Sequence, residues 1–239
     1  MKPPARPPLT RRAPAPPAPP PSDDRVLVLD TETTGLDPAV DRVIEIGVVE
    51  VKGDVEVGTW CSLVDAGVGV PGRVTQITGI TDAMVAVGLH ERDAVAVLGG
   101  MLARVDAVVA WNAAFDRDFV AAAFARSGVA LPPTPWFCAL EAARQRRPDL
   151  KGYRLDLVAR DLGIPTGRSH RALDDARSAL HVWRALPSTP AASSSASAPS
   201  PVAPPSDDAP AGASSDPGRA DDAKGEPSAG PRGTLDLFR

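Results

Sequence analysis

Val26-Leu27-Val28-Leu29-Asp30-Thr31-Glu32-Thr33-Thr34-Gly35-Leu36 runs four apolar residues into two carboxylates placed two positions apart, then into a Thr-Thr-Gly turn. Continuous apolar sequence from Arg25 to Asp30, without polar alternation, is the pattern of a central strand covered on both faces. Side chains two apart on a strand share a face, so Asp30 and Glu32 project together from its carboxyl end. That end is where α/β proteins place their chemistry. A second Asp-x-Glu, Asp54 and Glu56, follows a turn signal and reads as a solvated strand start.

Outward from this strand, Val43 to Val51 and Val55 to Val64 read as two more, joined at Lys52-Gly53-Asp54 as an antiparallel hairpin. Helical spacing covers Glu91 to Val105, a short apolar strand Ala107 to Trp111, and a second helix Ala113 to Arg126. Trp136 to Cys138 reads as one more short strand. Helices over Ala139 to Arg147, Leu155 to Leu162 and His170 to Leu186 follow, with Gly163 as a stop and Ser169 as an N-cap. A hairpin meander followed by alternating helices and strands predicts an α/β layer fold with a mixed sheet.

The 239 residues are unevenly composed. Residues 1–21 are mostly Pro and Ala, and residues 187–233 mostly Ser, Ala, Pro and Asp, so neither end can bury enough apolar surface to offset the entropy of ordering it. The expected organisation is a disordered arm (1–21), one globular domain (22–186), a disordered linker (187–233) and a terminal peptide (234–239). The formal charge is +4 for the arm, −5 for the domain and −3 for the remainder. Such a domain is not a generally basic nucleic-acid binder, so a polyanion handled there needs positive charge from elsewhere, and metal ions are the obvious source. Cys61 and Cys138 lack metal-ligand spacing and read as reduced, buried thiols. With no long apolar run and no apolar leader segment, a soluble cytoplasmic protein is expected, with no membrane partner.

Two further stretches supply inward carboxylates. In Asn112-Ala113-Ala114-Phe115-Asp116-Arg117-Asp118-Phe119, the helical projection puts Asp116 inside the arc of Phe119, Val120, Ala123 and Phe124, while Asp118 falls outside it. Asn112 has an ordinary reading as the helix N-cap. In Ser169-His170-Arg171-Ala172-Leu173-Asp174-Asp175-Ala176, Asp175 borders the apolar face of Ala172, Ala176, Ala179, Trp183 and Leu186, and Asp174 points away. If the four inward carboxylates converge, they repel one another unless divalent cations sit among them. An all-oxygen donor set favours Mg²⁺ or Mn²⁺, and two such ions serve phosphodiester cleavage. A general base is then needed, and His170, five residues before Asp175 where a loop enters the helix, is the candidate.

Asp30-Thr31-Glu32 with Thr33-Thr34-Gly35, then Asn112-x-x-Phe115-Asp116, then His170-x4-Asp175, in that order, resemble the three motifs of the DEDDh (DnaQ-like) 3′-5′ exonucleases, close in character to the proofreading epsilon subunit of bacterial DNA polymerase III. Arg42-Val43-Ile44-Glu45-Ile46-Gly47, Ile77-Thr78-Gly79-Ile80-Thr81 and Leu162-Gly163-Ile164 extend the likeness over residues 24–186, with Thr78 where many relatives carry His. The resemblance implies a ribonuclease H-like fold, a mixed five-stranded sheet flanked by helices. It implies two Mg²⁺ or Mn²⁺ ions held by Asp30, Glu32, Asp116 and Asp175, with His170 as base, and stepwise release of nucleoside monophosphates from a 3′ end. The tyrosine-using branch requires Tyr where Arg171 stands. By similarity Thr33, Thr34, Leu36, Asn112 and Phe115 face the substrate, though turn and packing roles explain Thr33, Thr34 and Leu36 equally well.

The implied substrate is single-stranded or frayed DNA, in proofreading or repair linked to DNA polymerase III, with its catalytic subunit as a possible partner. Leu235-Asp236-Leu237-Phe238 is similar to the short motif that binds the bacterial sliding clamp, which would engage Leu235, Leu237 and Phe238. Two alternatives stay open at this level: an RNA-trimming exoribonuclease of the same family, and a non-catalytic module that binds clamp or polymerase.

Overall fold

A computed structural model describes residues 24–167 and 169–186. The arm, the linker and the terminal peptide with Leu235, Leu237 and Phe238 lie outside the described residues.

The central strand is β1 (Arg25–Thr33). It pairs antiparallel with β2 (Val43–Lys52), which pairs antiparallel with β3 (Val55–Asp65) through the hairpin at Gly53, whose φ of 58° suits glycine. Helices α1 (Gly72–Thr78) and α2 (Asp82–Val85) lead to β4 (Leu89–His90), a two-residue strand on the outer end of β3. Helix α3 (Glu91–Leu102) then leads to β5 (Ala107–Ala110), which lies parallel to the other side of β1. Next come α4 (Ala113–Arg126), β6 (Trp136–Cys138), α5 (Ala139–Arg146), α6 (Leu155–Asp161) and α7 (Ala172–Ala185). The sheet order β4-β3-β2-β1-β5-β6 contains the five expected strands and the short sixth at one edge.

Both faces of β1 are covered. Val26 and Val28 pack with Val49, Val51, Leu140, Val158, Ala176 and Leu180, under α5, α6 and α7. Leu27 and Leu29 pack with Val48, Leu98, Leu102, Phe119 and Phe124, under α3 and α4. Burying each such side chain stabilises the fold by about 1.5–3 kcal/mol. Since Asp30 and Glu32 keep the parity of Val26 and Val28, the carboxylate pair continues the row that faces α7.

Four local readings change. Strand β1 continues through Glu32 and Thr33, because Glu32 opposes Glu45 and, across a register break that skips Ile44, Thr33 opposes Val43. Helix α7 starts at Ala172, two residues later than the spacing predicts, since His170 has a φ of 62° that no α-helix accepts. Its N-cap is accordingly Arg171, not Ser169. Cys61 is exposed, because much of β3 faces outward, and Cys138 is partly buried; both are free thiols. By contrast Gly163, with a φ of 69°, ends α6 as expected, and Ile164 N–H donates to the Ala159 carbonyl at 2.8 Å. Among the described residues no helix is long and apolar enough to cross a membrane.

Candidate active site

Three elements bring the acidic side chains to one place. Strand β1 carries Asp30, partly open to solvent, and Glu32, which is buried. Thr31, between them, faces the opposite side of the sheet and fixes α4: its N–H and its Oγ1 donate to Asp116 Oδ1 at 3.1 and 2.9 Å. The buried Asp116 thus has its partner in a threonine of β1, where sequence offers no cation. On α7, Asp175 Oδ2 accepts the backbone N–H of His170 at 2.9 Å. Ligand atoms of Glu32, His170 and Asp175 all lie within 4.8 Å of one another.

Burial and mutual repulsion push these groups toward their protonated forms. Glu32 is raised to about 8, first by burial and then by Asp175, Glu45 and Asp116. Asp116 is raised to about 7 by burial, against the opposing hydrogen bonds of Thr31. Asp175 is raised to about 6, chiefly by burial, with the His170 N–H opposing. Asp30 lies well above the usual carboxylate range because of burial and then the charges of Asp116, Asp175, Glu32 and Glu45. His170 is lowered by burial and then by Arg154, so the neutral imidazole dominates near pH 7. Glu32, His170 and Asp175 could together hold a divalent cation, whose charge would offset the repulsion that Asp30 and Asp116 add beside them.

The flanking residues divide. Thr33 Oγ1 donates to the Gly35 carbonyl at 2.6 Å and Thr34 Oγ1 to Asp41 Oδ1 at 3.1 Å, so both hydroxyls serve the turn after β1. Leu36 is exposed. Asn112 occupies the N-cap of α4 without a side-chain capping bond, and Phe115 packs on Phe119 with ring centroids 4.8 Å apart.

Spacing does not single out Glu45. It is buried on β2 directly across from Glu32 and takes hydrogen bonds from Arg171 and from the first residue of α7. The signal available in the sequence is an acidic residue inside the apolar run Val43 to Val51. Glu50 in the same run is salt-bridged to Arg25 at 2.6 Å and Arg104 at 3.2 Å, away from the site.

A protein-family model described as an exonuclease matches residues 27–183. The DNA polymerase III PolC-type of Clostridium perfringens is 37% identical over 160 residues, which cover 67% of this chain and 11% of that protein. A putative bifunctional exonuclease/endonuclease protein of Mycobacterium tuberculosis is 35% identical over 169 residues, 67% of this chain and 26% of that protein. The chain therefore spans about a tenth of the polymerase's length and about a quarter of the second relative's. Among solved structures, the zinc-bound complex of E. coli exonuclease I with single-stranded DNA superposes with a TM-score of 0.62 at 19% identity, over 68% of this chain and 40% of that one. The same enzyme with a dA16 oligonucleotide gives 0.61, also at 19% identity, over 68% and 40%. At that identity the likeness carries the fold, which is ribonuclease H-like.

Proposed function

Since the chain belongs to the exonuclease family, its DEDDh (DnaQ-like) members in particular, we propose that it is a metal-dependent 3′-5′ exodeoxyribonuclease that removes nucleoside monophosphates from single-stranded or frayed DNA 3′ ends. The observation that carries this reading is the gathering of Asp30, Glu32, Asp116 and Asp175 beside His170. In it, residues 22–186 are the catalytic domain, and the four carboxylates hold two Mg²⁺ or Mn²⁺ ions. When bound, the pair of dications supplies an activated water and charge stabilisation for the leaving oxygen. His170, neutral near pH 7, takes the proton from the attacking water as the new P–O bond forms. The bond to the 3′ oxygen of the preceding nucleotide breaks, that oxygen takes a proton from solvent water, and His170 returns the proton it took to solvent. Leu36 and Phe115 offer apolar surface to the terminal base, and Asn112 a polar edge at the mouth of α4.

Polymerase III relatives and exonuclease I complexes with DNA support DNA over RNA as substrate. They also support a cytoplasmic role in proofreading or repair alongside a polymerase; in this reading the terminal Leu235-Asp236-Leu237-Phe238 is a tether to the clamp, on the strength of its sequence alone. The purified chain is incubated with 3′-labelled single-stranded DNA and with RNA of the same sequence, with Mn²⁺ and with chelator. Metal-dependent release of mononucleotides from DNA is expected. Preferential release from RNA would make it an exoribonuclease, and release from neither would leave only a binding module.

A further inference from the structure

We propose that Glu45 and Arg171 act as a charge-compensated positioning pair that seats the first turn of α7, setting His170 and Asp175 against Glu32 while keeping a fifth carboxylate out of the metal-binding set; this rests on the metal-dependent reading above. Glu45 and Glu32 oppose each other across the β1–β2 ladder, where like charges on one face are unfavourable. Glu45 nevertheless is 1% exposed, so its charge must be satisfied locally. Arg171 Nε lies 3.1 Å from each of its oxygens, Arg171 Nη2 donates to Oε1, and Ala172 N–H donates to Oε2 at 2.9 Å. Cys61 Sγ stands 3.7 Å from Oε1 as a weak donor. The cap of α7 is thus a carboxylate from the neighbouring strand, placed at the positive end of the helix dipole.

The same strand face supplies the seat. Two residues along β2, a Cβ on Gly47 would collide with the Ala172 carbonyl carbon and the Leu173 nitrogen, so α7 rests backbone to backbone on β2. Immediately before the clamp, His170 adopts its left-handed φ of 62° and donates its N–H to Asp175. Residues 170–175 therefore form a short arc held at one point by Glu45 and closed on itself by Asp175. Both charges of the pair reach the site: Glu45 is among the groups that raise Asp30, Glu32 and Asp175, and Arg171 opposes that effect at Glu32.

The test measures Mn²⁺ affinity by calorimetry without substrate, together with kcat and KM on a single-stranded oligonucleotide, using the full chain. Glu45→Gln leaves the guanidinium uncompensated beside Glu32, and its Mn²⁺ Kd is expected to rise about tenfold. Arg171→Gln leaves an extra carboxylate, and its Kd is expected to stay equal or tighten. In both, kcat falls roughly 10–100-fold while KM stays within about twofold, because the arc of His170 and Asp175 loses its seat. The double variant E45Q/R171Q returns the Kd to near wild type with kcat still low. Kd shifts of the same sign in the two single variants, or an unchanged kcat, would overturn the pair. Should either Gln variant fail to fold, Arg171→Lys decides: charge kept but fork lost gives a near-normal Kd and a lowered kcat, and a wild-type kcat sinks the positioning role. Absence of metal-dependent release by the wild-type chain would instead refute the nuclease reading, while the Kd pattern would still report on the pair.

Discussion

At the scale of single residues, the site stores repulsion that a cation relieves, and this makes two predictions. Glu32, Asp116 and Asp175 sit at about 8, 7 and 6, above their ordinary values of 4.5, 3.8 and 3.8. A group whose pKa is raised on folding contributes stability that is complete below its unfolded value and lost as pH rises through its folded value. The metal-free protein should therefore lose stability between about pH 4 and about pH 8. His170, lowered on folding, acts with the opposite sign around its ordinary 6.5, but it is one group against four carboxylates. Thermal melts in chelator should fall across that window and flatten when Mn²⁺ is added; a melting temperature that is level or rising in chelator would contradict the account. Asp116→Asn keeps an oxygen for Thr31 and removes a buried charge. Its melting temperature in chelator should hold or rise, while metal-dependent cleavage drops by at least about 100-fold, more than is usual for groups lying around a ligand. An active D116N enzyme would remove Asp116 from the set.

At the scale of elements, the decisive contact is the seating of α7 on β2, and glycine makes it possible. Gly47→Ala forces a methyl into the backbone of Ala172 and Leu173, and overpacking of this kind costs about 1–3 kcal/mol or more. Around Gly58 on β3, a methyl would meet nothing within 4 Å, so Gly58→Ala should change stability by no more than about 0.5 kcal/mol. Paired chemical denaturation curves test the contrast, and equal losses would show that strand propensity, not the α7 seat, governs Gly47. The same comparison shows what sequence periodicity can reach. Strand β1 is legible because a short Val/Leu run that ends in a Thr-Thr-Gly turn fits a doubly covered strand, and α4 because its projection places Asp116 among Phe119, Val120 and Phe124. Helices α1 and α2 were not, since at seven and four residues neither has room for an amphipathic repeat. The start of α7 was misplaced for another reason: its cap is Glu45, far away in sequence, and the left-handed His170 leaves no local sign. Glu45 lies in a stretch that extends the family likeness but has no readable role there, because a motif records spacing along a chain, whereas its meaning comes from lying across the ladder from Glu32.

At the scale of the whole molecule, charge decides how a polyanion is met. Residues 22–186 carry a net −5, and much of the visible basic surface is already engaged, as in Arg147 with Asp149 and Asp161, Arg126 with Glu91, and Arg154 with Asp156. A net-negative domain that turns these arginines onto its own carboxylates gains little from counterion release, so its affinity for single-stranded DNA should depend only shallowly on salt. Binding should depend strongly on the dications that neutralise the carboxylate cluster. Fluorescence anisotropy with a cleavage-resistant phosphorothioate oligonucleotide separates these sources of affinity. Chelator should weaken binding by about tenfold or more, and in Mn²⁺ the slope of log affinity against log salt should stay near that of one or two phosphate contacts, roughly −0.7 each for a single strand. Tight binding in chelator with a steep salt slope would instead assign recognition to the basic arm at Lys2, Arg6, Arg11 and Arg12. Replacing those four residues with Ser would then abolish the steep slope, whereas the metal-centred account expects the same replacement to leave both the metal requirement and the shallow slope in place.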